Sequence, residues 1–128
     1  MNFLIVDDDQ GLAALLKMEL EDQGHTVETA SNGFDGKSLS LKRRYDVIIL
    51  DLMLPGMNGR QVCQELRKHH NPTPVMIMSA LDTPDEKKAC ISAGASDFMA
   101  KPFLFDDFYH RLLQLVKGYR YHPDERRS

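Results

Sequence analysis

The sequence lacks the features that mark several classes of protein. Its 128 residues include only two cysteines, Cys63 and Cys90, and their spacing is not that of a metal site, so we expect two reduced thiols. No long run of Lys and Arg occurs and the net charge is −3, which argues against direct DNA or RNA contact. The apolar run at residues 3–6 is too short for a signal peptide, and no other stretch approaches a membrane span. We therefore expect a cytoplasmic protein without membrane contact.

The length of the chain is that of one domain, which can bury a hydrophobic core without disulfides to hold it. It contains no internal repeat and no low-complexity segment. After Lys117 the residues become polar and charged. The expected organisation is one domain over residues 1–117 and a C-terminal tail, or the start of a linker, over residues 118–128.

Short apolar runs alternate with segments of helical periodicity along this domain. Wholly apolar runs at residues 3–6, 47–50 and 75–78 predict three buried strands. More polar runs at 26–30 and 97–100 predict two further strands. Five helical segments follow these strands: one with apolar residues from Leu12 to Leu20 that stops at Gly24, one from Gly33 to about Arg44, one from about Arg60 to His69, one from Thr83 to Gly94, and one from Phe105 to Val116.

This alternation predicts the α/β class, with a parallel five-stranded sheet covered by five helices on its two faces. The three wholly apolar strands should be central and the two mixed strands should be edges. That arrangement matches the doubly wound, flavodoxin-like strand order 2-1-3-4-5. In such folds the ligand crevice lies outside the carboxyl ends of the strands, where the strand order reverses.

Polar side chains stand at the carboxyl ends of four predicted strands, and they are Asp7 and Asp8, Asp51, Ser79, and Lys101. Because parallel strands end at the same edge of a sheet, we expect these groups to converge. Three neighbouring carboxylates repel one another unless a cation joins them, and oxygen ligands suit Mg²⁺. Asp51 can attack phosphorus as a nucleophile, while the metal and Lys101 offset the charge of the transferring group. The pattern therefore predicts a magnesium site that handles phosphate.

Four blocks of the sequence resemble the signature motifs of response-regulator receiver domains, the CheY-like superfamily, and these are residues 6–9, 51–59, 79–80 and 97–103. The blocks occur in order and at appropriate spacing, and the resemblance covers residues 1–117. It implies a two-component response regulator that accepts a phosphoryl group from a sensor histidine kinase or phosphotransfer protein. The reaction would depend on Mg²⁺, with Mn²⁺ as a substitute. The chain would not be an enzyme beyond its own phosphorylation and dephosphorylation.

The resemblance also assigns roles to the residues that handle phosphate. Asp51 is the phosphoacceptor. Asp8 and Asp51 bind Mg²⁺ together with the backbone carbonyl of Met53, and Asp7 acts through a water on the metal. Lys101 contacts the phosphoryl group.

The resemblance further implies two switch residues, the hydroxyl of Ser79 and the aromatic ring of Phe98, and a cis peptide bond between Lys101 and Pro102. The switch aromatic of the family is often tyrosine, so Phe98 lacks a hydroxyl that a tyrosine would offer. Met53 and Leu81 occupy two positions at which polar groups of the family tune dephosphorylation. Both are apolar here, which predicts a long-lived phosphoryl group.

The same resemblance implies a dimer surface. Receivers of the winged-helix transcription-factor subfamily place interface ion pairs on the face formed by the fourth helix, the fifth strand and the fifth helix. In this chain the matching positions are Lys87, Asp97, Asp107 and Arg111. A third pair would fall on Ser96 and Leu113 and is missing. Phosphorylation is expected to switch this face and so to control a partner, a homodimer or a downstream output.

Three other functions fit the sequence less well. A magnesium-dependent phosphohydrolase of the haloacid-dehalogenase kind needs a second aspartate two residues after its nucleophile, where this chain has Met53. A flavodoxin-like electron carrier needs a hydroxyl-rich first loop, whereas the loop here is acidic. A degenerate receiver that only docks would not keep every phosphorylation residue. A stand-alone regulator and the receiver half of a longer transcription factor are both compatible with the sequence.

Overall fold

The apolar runs of the sequence form strands and the periodic segments form helices. The structure, a computed structural model, describes residues 1–120. Its strands are β1 (Asn2–Val6), β2 (Thr26–Ala30), β3 (Val47–Asp51), β4 (Val75–Ser79) and β5 (Asp97–Ala100). Its helices are α1 (Gln10–Asp22), α2 (Gly33–Lys42), α3 (Gly59–Lys68), α4 (Pro84–Ser92) and α5 (Phe105–Val116). Residues 121–128 of the predicted tail lie outside the described residues, and the boundary at residue 117 stays a prediction.

The five strands form one parallel sheet in the order β2-β1-β3-β4-β5. The predicted fold class and strand order are therefore confirmed. β3 and β4 are buried at every position and β1 at all but its first, because helices cover both of their faces. β2 and β5 lie at the two edges of the sheet, so each has a neighbouring strand on one side only. This is why their sequences are more polar.

Two hydrophobic cores lie on the two faces of the sheet, since successive residues of a strand point to opposite sides. One core joins β1, β3 and β4 to α3 and α4, and its members include Leu4, Ile48, Ile77, Val62 and Cys90. The other core joins the same strands to α1 and α5, and its members include Phe3, Ile49, Met76, Leu16 and Phe108. Each buried side chain of this size contributes about 1.5–3 kcal/mol. The two cores fix the central strands and therefore the residues at their ends.

Local side-chain bonds set where helices begin. The Asp9 carboxylate caps α1 by accepting a hydrogen bond from the Leu12 N–H at 3.0 Å. The Thr83 hydroxyl caps α4 in the same way, accepting from the Glu86 N–H at 3.1 Å. The Glu86 carboxylate lies 3.8 Å from Arg60 Nε on α3, so this ion pair joins α4 to α3. Within residues 1–120 no helix has the length and apolar character needed to cross a membrane.

Candidate functional site

The sheet brings the ends of four strands to one edge. Asp7 follows β1 directly, and its N–H donates to the Ala30 carbonyl at 3.0 Å. Asp51 is the last residue of β3, and Ser79 is the last residue of β4. Lys101 follows β5, and its N–H donates to the Ser79 carbonyl at 2.8 Å. Backbone hydrogen bonds therefore continue past the strand ends and position the side chains that follow.

Three carboxylates meet at this edge. Asp7, Asp8 and Asp51 each offer one carboxylate oxygen, and these oxygens all lie within 4.8 Å of one another. Asp7 and Asp51 are buried, whereas Asp8 is exposed. The cluster is therefore held inside the protein on one side and faces solvent on the other.

The Lys101 ammonium is the cation that already accompanies these carboxylates. Its Nζ lies 2.9 Å from Asp7 Oδ2 and 3.2 Å from Asp51 Oδ1. The other oxygen of Asp7 accepts a hydrogen bond from the Asp9 N–H at 2.9 Å. Only 1% of Asp7 is exposed, and a buried carboxylate needs such partners to offset its loss of water. The direct bond between Lys101 and Asp7 was not predicted, because the sequence places Lys101 at the site without showing which carboxylate its side chain reaches.

Charge and burial shift the pKa values of the two central groups. Burial raises the pKa of the Asp51 carboxyl above its usual range, and the negative charge of Asp7 raises it further, while Lys101 opposes both effects. Burial alone would lower the pKa of Lys101, but its hydrogen bond to Asp7 and the charges of Asp51 and Asp7 raise the pKa above its ordinary value. Lys101 is therefore charged at neutral pH, and it balances only part of the negative charge around it.

The residues present fit a hard divalent cation. All three converging side chains offer oxygen, the ligand atom that Mg²⁺ prefers, and the exposed side of Asp8 leaves room for waters. A single lysine leaves excess negative charge among three carboxylates. Met53, whose carbonyl the resemblance adds to the ligand set, stands two residues beyond Asp51 and is 64% exposed. The chemistry of this donor set is therefore that of a partly hydrated magnesium site.

The two residues expected to act as a switch are both buried. Ser79 is 1% exposed, and its hydroxyl accepts a hydrogen bond from the Leu81 N–H at 2.9 Å. Phe98 is 3% exposed and belongs to the core that contains Leu50 and Ile77. The peptide bond between Lys101 and Pro102 is cis. The structure therefore places Ser79 at the site and the Phe98 ring in the adjacent core.

Three of the four residues of the expected dimer surface, Lys87, Asp97 and Arg111, form ion pairs within the chain. Asp97 is 6% exposed and accepts hydrogen bonds from Arg111 Nη2 at 3.0 Å and from the Phe98 N–H at 2.7 Å. Lys87 Nζ lies 2.9 Å from an Asp82 oxygen. Burial raises the pKa of the Asp97 carboxyl, and the Arg111 charge opposes that shift. Asp107 is exposed. The family resemblance could not separate bonds within one chain from bonds between two chains.

The sequence matches a known protein family and known relatives. The model of the response regulator receiver domain family matches residues 3–113. Response regulator ArlR of Staphylococcus aureus is 38% identical over 114 residues, which are 89% of this chain and 52% of that protein. This chain thus spans about half the length of the curated relatives it matches.

Solved structures agree with this match. The receiver domain of the Francisella response regulator 1452 superposes with a TM-score of 0.87 at 34% identity, covering 91% of this chain and 96% of that one. The receiver domain of sensor histidine kinase PA1611 from Pseudomonas aeruginosa PAO1, solved with a magnesium ion in its active-site cleft, has a TM-score of 0.84 at 24% identity. It covers 91% of this chain and 98% of that one, and at this identity the likeness shows the fold alone.

These findings leave the haloacid-dehalogenase alternative without support, and the strand order and family match agree with the motifs at the strand ends. With the family model covering residues 3–113 and a relative of 38% identity, the chain belongs to the response regulator receiver domain family of two-component systems.

Proposed function

We propose that this chain accepts a phosphoryl group on Asp51 from a sensor histidine kinase or phosphotransfer protein, and that phosphorylation changes the face formed by α4, β5 and α5. The observation that carries the proposal is the meeting of Asp7, Asp8 and Asp51 within 4.8 Å, with the Lys101 ammonium bonded to two of them. An enzyme that acts on separate substrates is not needed to explain this site.

The residues of the chain divide the work of phosphoryl transfer. An oxygen of Asp51 attacks phosphorus, the bond from phosphorus to the donor imidazole breaks, and the imidazole nitrogen keeps the electron pair. Lys101, held 3.2 Å from Asp51, would offset negative charge on the transferred group. Ser79 lies at the end of the neighbouring strand, where its hydroxyl can donate to a phosphoryl oxygen.

The proposed cofactor is Mg²⁺, with Mn²⁺ as a substitute. Asp8, Asp51 and the Met53 carbonyl would hold it, and Asp7 would bind a water beside it. When bound, Mg²⁺ would neutralise charge among the carboxylates and on the incoming phosphoryl group. The convergence of oxygens from Asp7, Asp8 and Asp51 supports this assignment.

The hydroxyl of Ser79 cannot drive the switch alone. A hydrogen bond to a charged group contributes about 1.5–3 kcal/mol. Moving a two-state population from 1:99 to 99:1 needs about 5.5 kcal/mol. We therefore propose that Lys101, the metal and a bound partner or second copy supply the difference.

We also propose that a homodimer forms through the α4–β5–α5 face. In this proposal Asp97 and Arg111, which pair within one chain, exchange partners with a second copy, and Lys87 leaves Asp82 for Asp107 of that copy. Exchange conserves the number of ion pairs, so these pairs by themselves add no net stabilisation to the dimer. In this proposal phosphorylation, and not a gain in ion pairs, stabilises the dimer.

Replacing Asp51 with Asn should abolish the acyl phosphate formed from radiolabelled acetyl phosphate and Mg²⁺. The same variant should have a higher melting temperature than the wild type at pH 7 in EDTA. The folded-state pKa of Asp51 lies above its unfolded value, so stability falls as pH rises from the unfolded pKa through the folded one. The Asn side chain of the variant has no carboxyl group to ionise, so the variant does not lose this stability. Label retained by a folded Asp51→Asn protein would contradict the phosphoacceptor assignment.

The phosphoryl group should persist for minutes or longer. Met53 and Leu81 are 64% and 48% exposed beside the site, and their apolar side chains cannot orient an attacking water. Chasing labelled protein in Mg²⁺ buffer measures the lifetime. Met53→Asn should shorten it, whereas Met18→Asn, at an exposed methionine of α1, should leave it unchanged. Wild-type decay within seconds would count against this prediction.

Beryllofluoride with Mg²⁺, which mimics the phosphoryl group, should shift the protein from monomer to dimer in light scattering. Charge reversal in Asp107→Lys should weaken that dimer by up to about fivefold for each ion pair lost, since an exposed ion pair contributes up to about 1 kcal/mol. Asp106→Lys is the matched control, because Asp106 is an exposed neighbour on the same helix outside the proposed pairs. A monomer under all conditions, or equal effects of the two variants, would refute the dimer proposal.

A further inference from the structure

The first turn of α2 packs against the loop that follows Asp51. We call residues 52–58 the β3–α3 loop, since they join β3 to α3. The Gly33 N–H at the start of α2 donates to the Pro55 carbonyl of this loop at 3.3 Å. A Cβ placed on Gly33 would lie 1.8 Å from the Met57 carbonyl oxygen. Only a glycine lets the helix approach the loop this closely.

The next residue of α2 makes a second contact with the same loop. A Cβ placed on Gly56 would lie 2.6 Å from Phe34 Cε2, so the ring edge lies directly against the glycine backbone. Gly56 has a φ of +78°, a conformation that favours glycine. The Phe34 residue is nevertheless 60% exposed. The ring therefore contributes little to the core, and its contact is with the backbone of the loop.

The two ends of the β3–α3 loop are fixed by other bonds. The Leu52 N–H donates to the Met78 carbonyl of β4 at 2.8 Å, and the Gly59 N–H donates to the Leu52 carbonyl at 2.9 Å. Between these ends, Gly33 and Phe34 hold the middle of the loop at Pro55 to Met57. Met53 is the residue whose carbonyl would bind the metal. It lies between Leu52, which is bonded to β4, and Pro55, which is bonded to α2.

We propose that Gly33 and Phe34 are positioning residues for the metal site. By holding the β3–α3 loop, they keep the Met53 carbonyl available as a ligand beside the carboxylate cluster. Neither residue contacts the cluster directly; both act through loop backbone. This inference rests on the proposed function, because it assumes that the site takes up Mg²⁺. In this proposal the metal site also depends on α2, a helix that carries none of the predicted site residues.

The direct test is Mg²⁺ binding to the metal-free protein, measured by titration calorimetry. Phe34→Ala should lower the affinity about tenfold, the scale seen when a partner that orients a metal ligand is lost. Phe34→Tyr keeps the ring edge and should restore wild-type affinity. Leu41→Ala is the matched control, because Leu41 is an exposed apolar residue of the same helix seven positions further on.

Phosphorylation by acetyl phosphate gives a second readout. Phe34→Ala should raise the Mg²⁺ concentration needed for half-maximal rate by a similar factor, while the rate at saturating Mg²⁺ stays near that of the wild type. A general loss of stability would instead lower the fraction of active protein at every Mg²⁺ concentration. The split between the two parameters therefore identifies a positioning role.

Gly33→Ala tests the tighter contact, with Gly11→Ala as its control. Both glycines lie in the first turn of a helix, but a Cβ on Gly11 would meet only Asp9 Oδ1, at 3.4 Å. If Gly33→Ala is folded by circular dichroism, its Mg²⁺ affinity should fall more than that of Phe34→Ala. If it does not fold, the Phe34 series decides the question.

Two results would overturn the inference while leaving the proposed function intact. One is wild-type Mg²⁺ affinity in Phe34→Ala, and the other is an equal loss in Leu41→Ala. A wild-type protein that binds no Mg²⁺ and gains no phosphoryl group would instead refute the proposed function, and this inference with it.

Discussion

The bond between the Lys101 ammonium and the buried Asp7 carboxylate is the interaction on which the site depends. Parallel strands necessarily end at one edge, so β1 and β3 bring Asp7, Asp8 and Asp51 together, where their charges repel. Lys101 lies 2.9 Å from Asp7 and 3.2 Å from Asp51 and offsets part of that repulsion. In the proposed function, a divalent cation would offset the negative charge that remains among the three carboxylates.

Much of this arrangement was predictable from the sequence, and the reason is geometric. The wholly apolar runs at β1, β3 and β4 had to be central because only central strands are buried on both faces. Once the strand order was set, the carboxyl end of each strand had a known place, and so did Asp51 at the end of β3 and Asp7 and Lys101 directly after β1 and β5. Short-range patterns therefore determined both the sheet and the edge at which the site lies.

What the sequence did not show depends on the reach of side chains and on close packing. The family resemblance identified Asp97 and Arg111 as candidates for an interface, but it did not show that Arg111 binds the buried Asp97 carboxylate of its own chain. Likewise, the sequence predicted a helix that begins at Gly33, but not that Gly33 would contact the Met57 carbonyl, 24 residues further along the chain. Such contacts arise only when elements distant in sequence are packed together.

NMR with Mn²⁺ can show whether one edge of the sheet forms a single divalent cation site. At substoichiometric Mn²⁺, a paramagnetic ion, the backbone amide signals of Asp7, Asp8, Asp51 and Met53 should broaden first, and excess Mg²⁺ should restore them. Asp51→Asn should weaken the effect at all of these positions together. Broadening that begins elsewhere, for example at Asp106 and Asp107 on α5, or that Mg²⁺ does not reverse, would contradict the account.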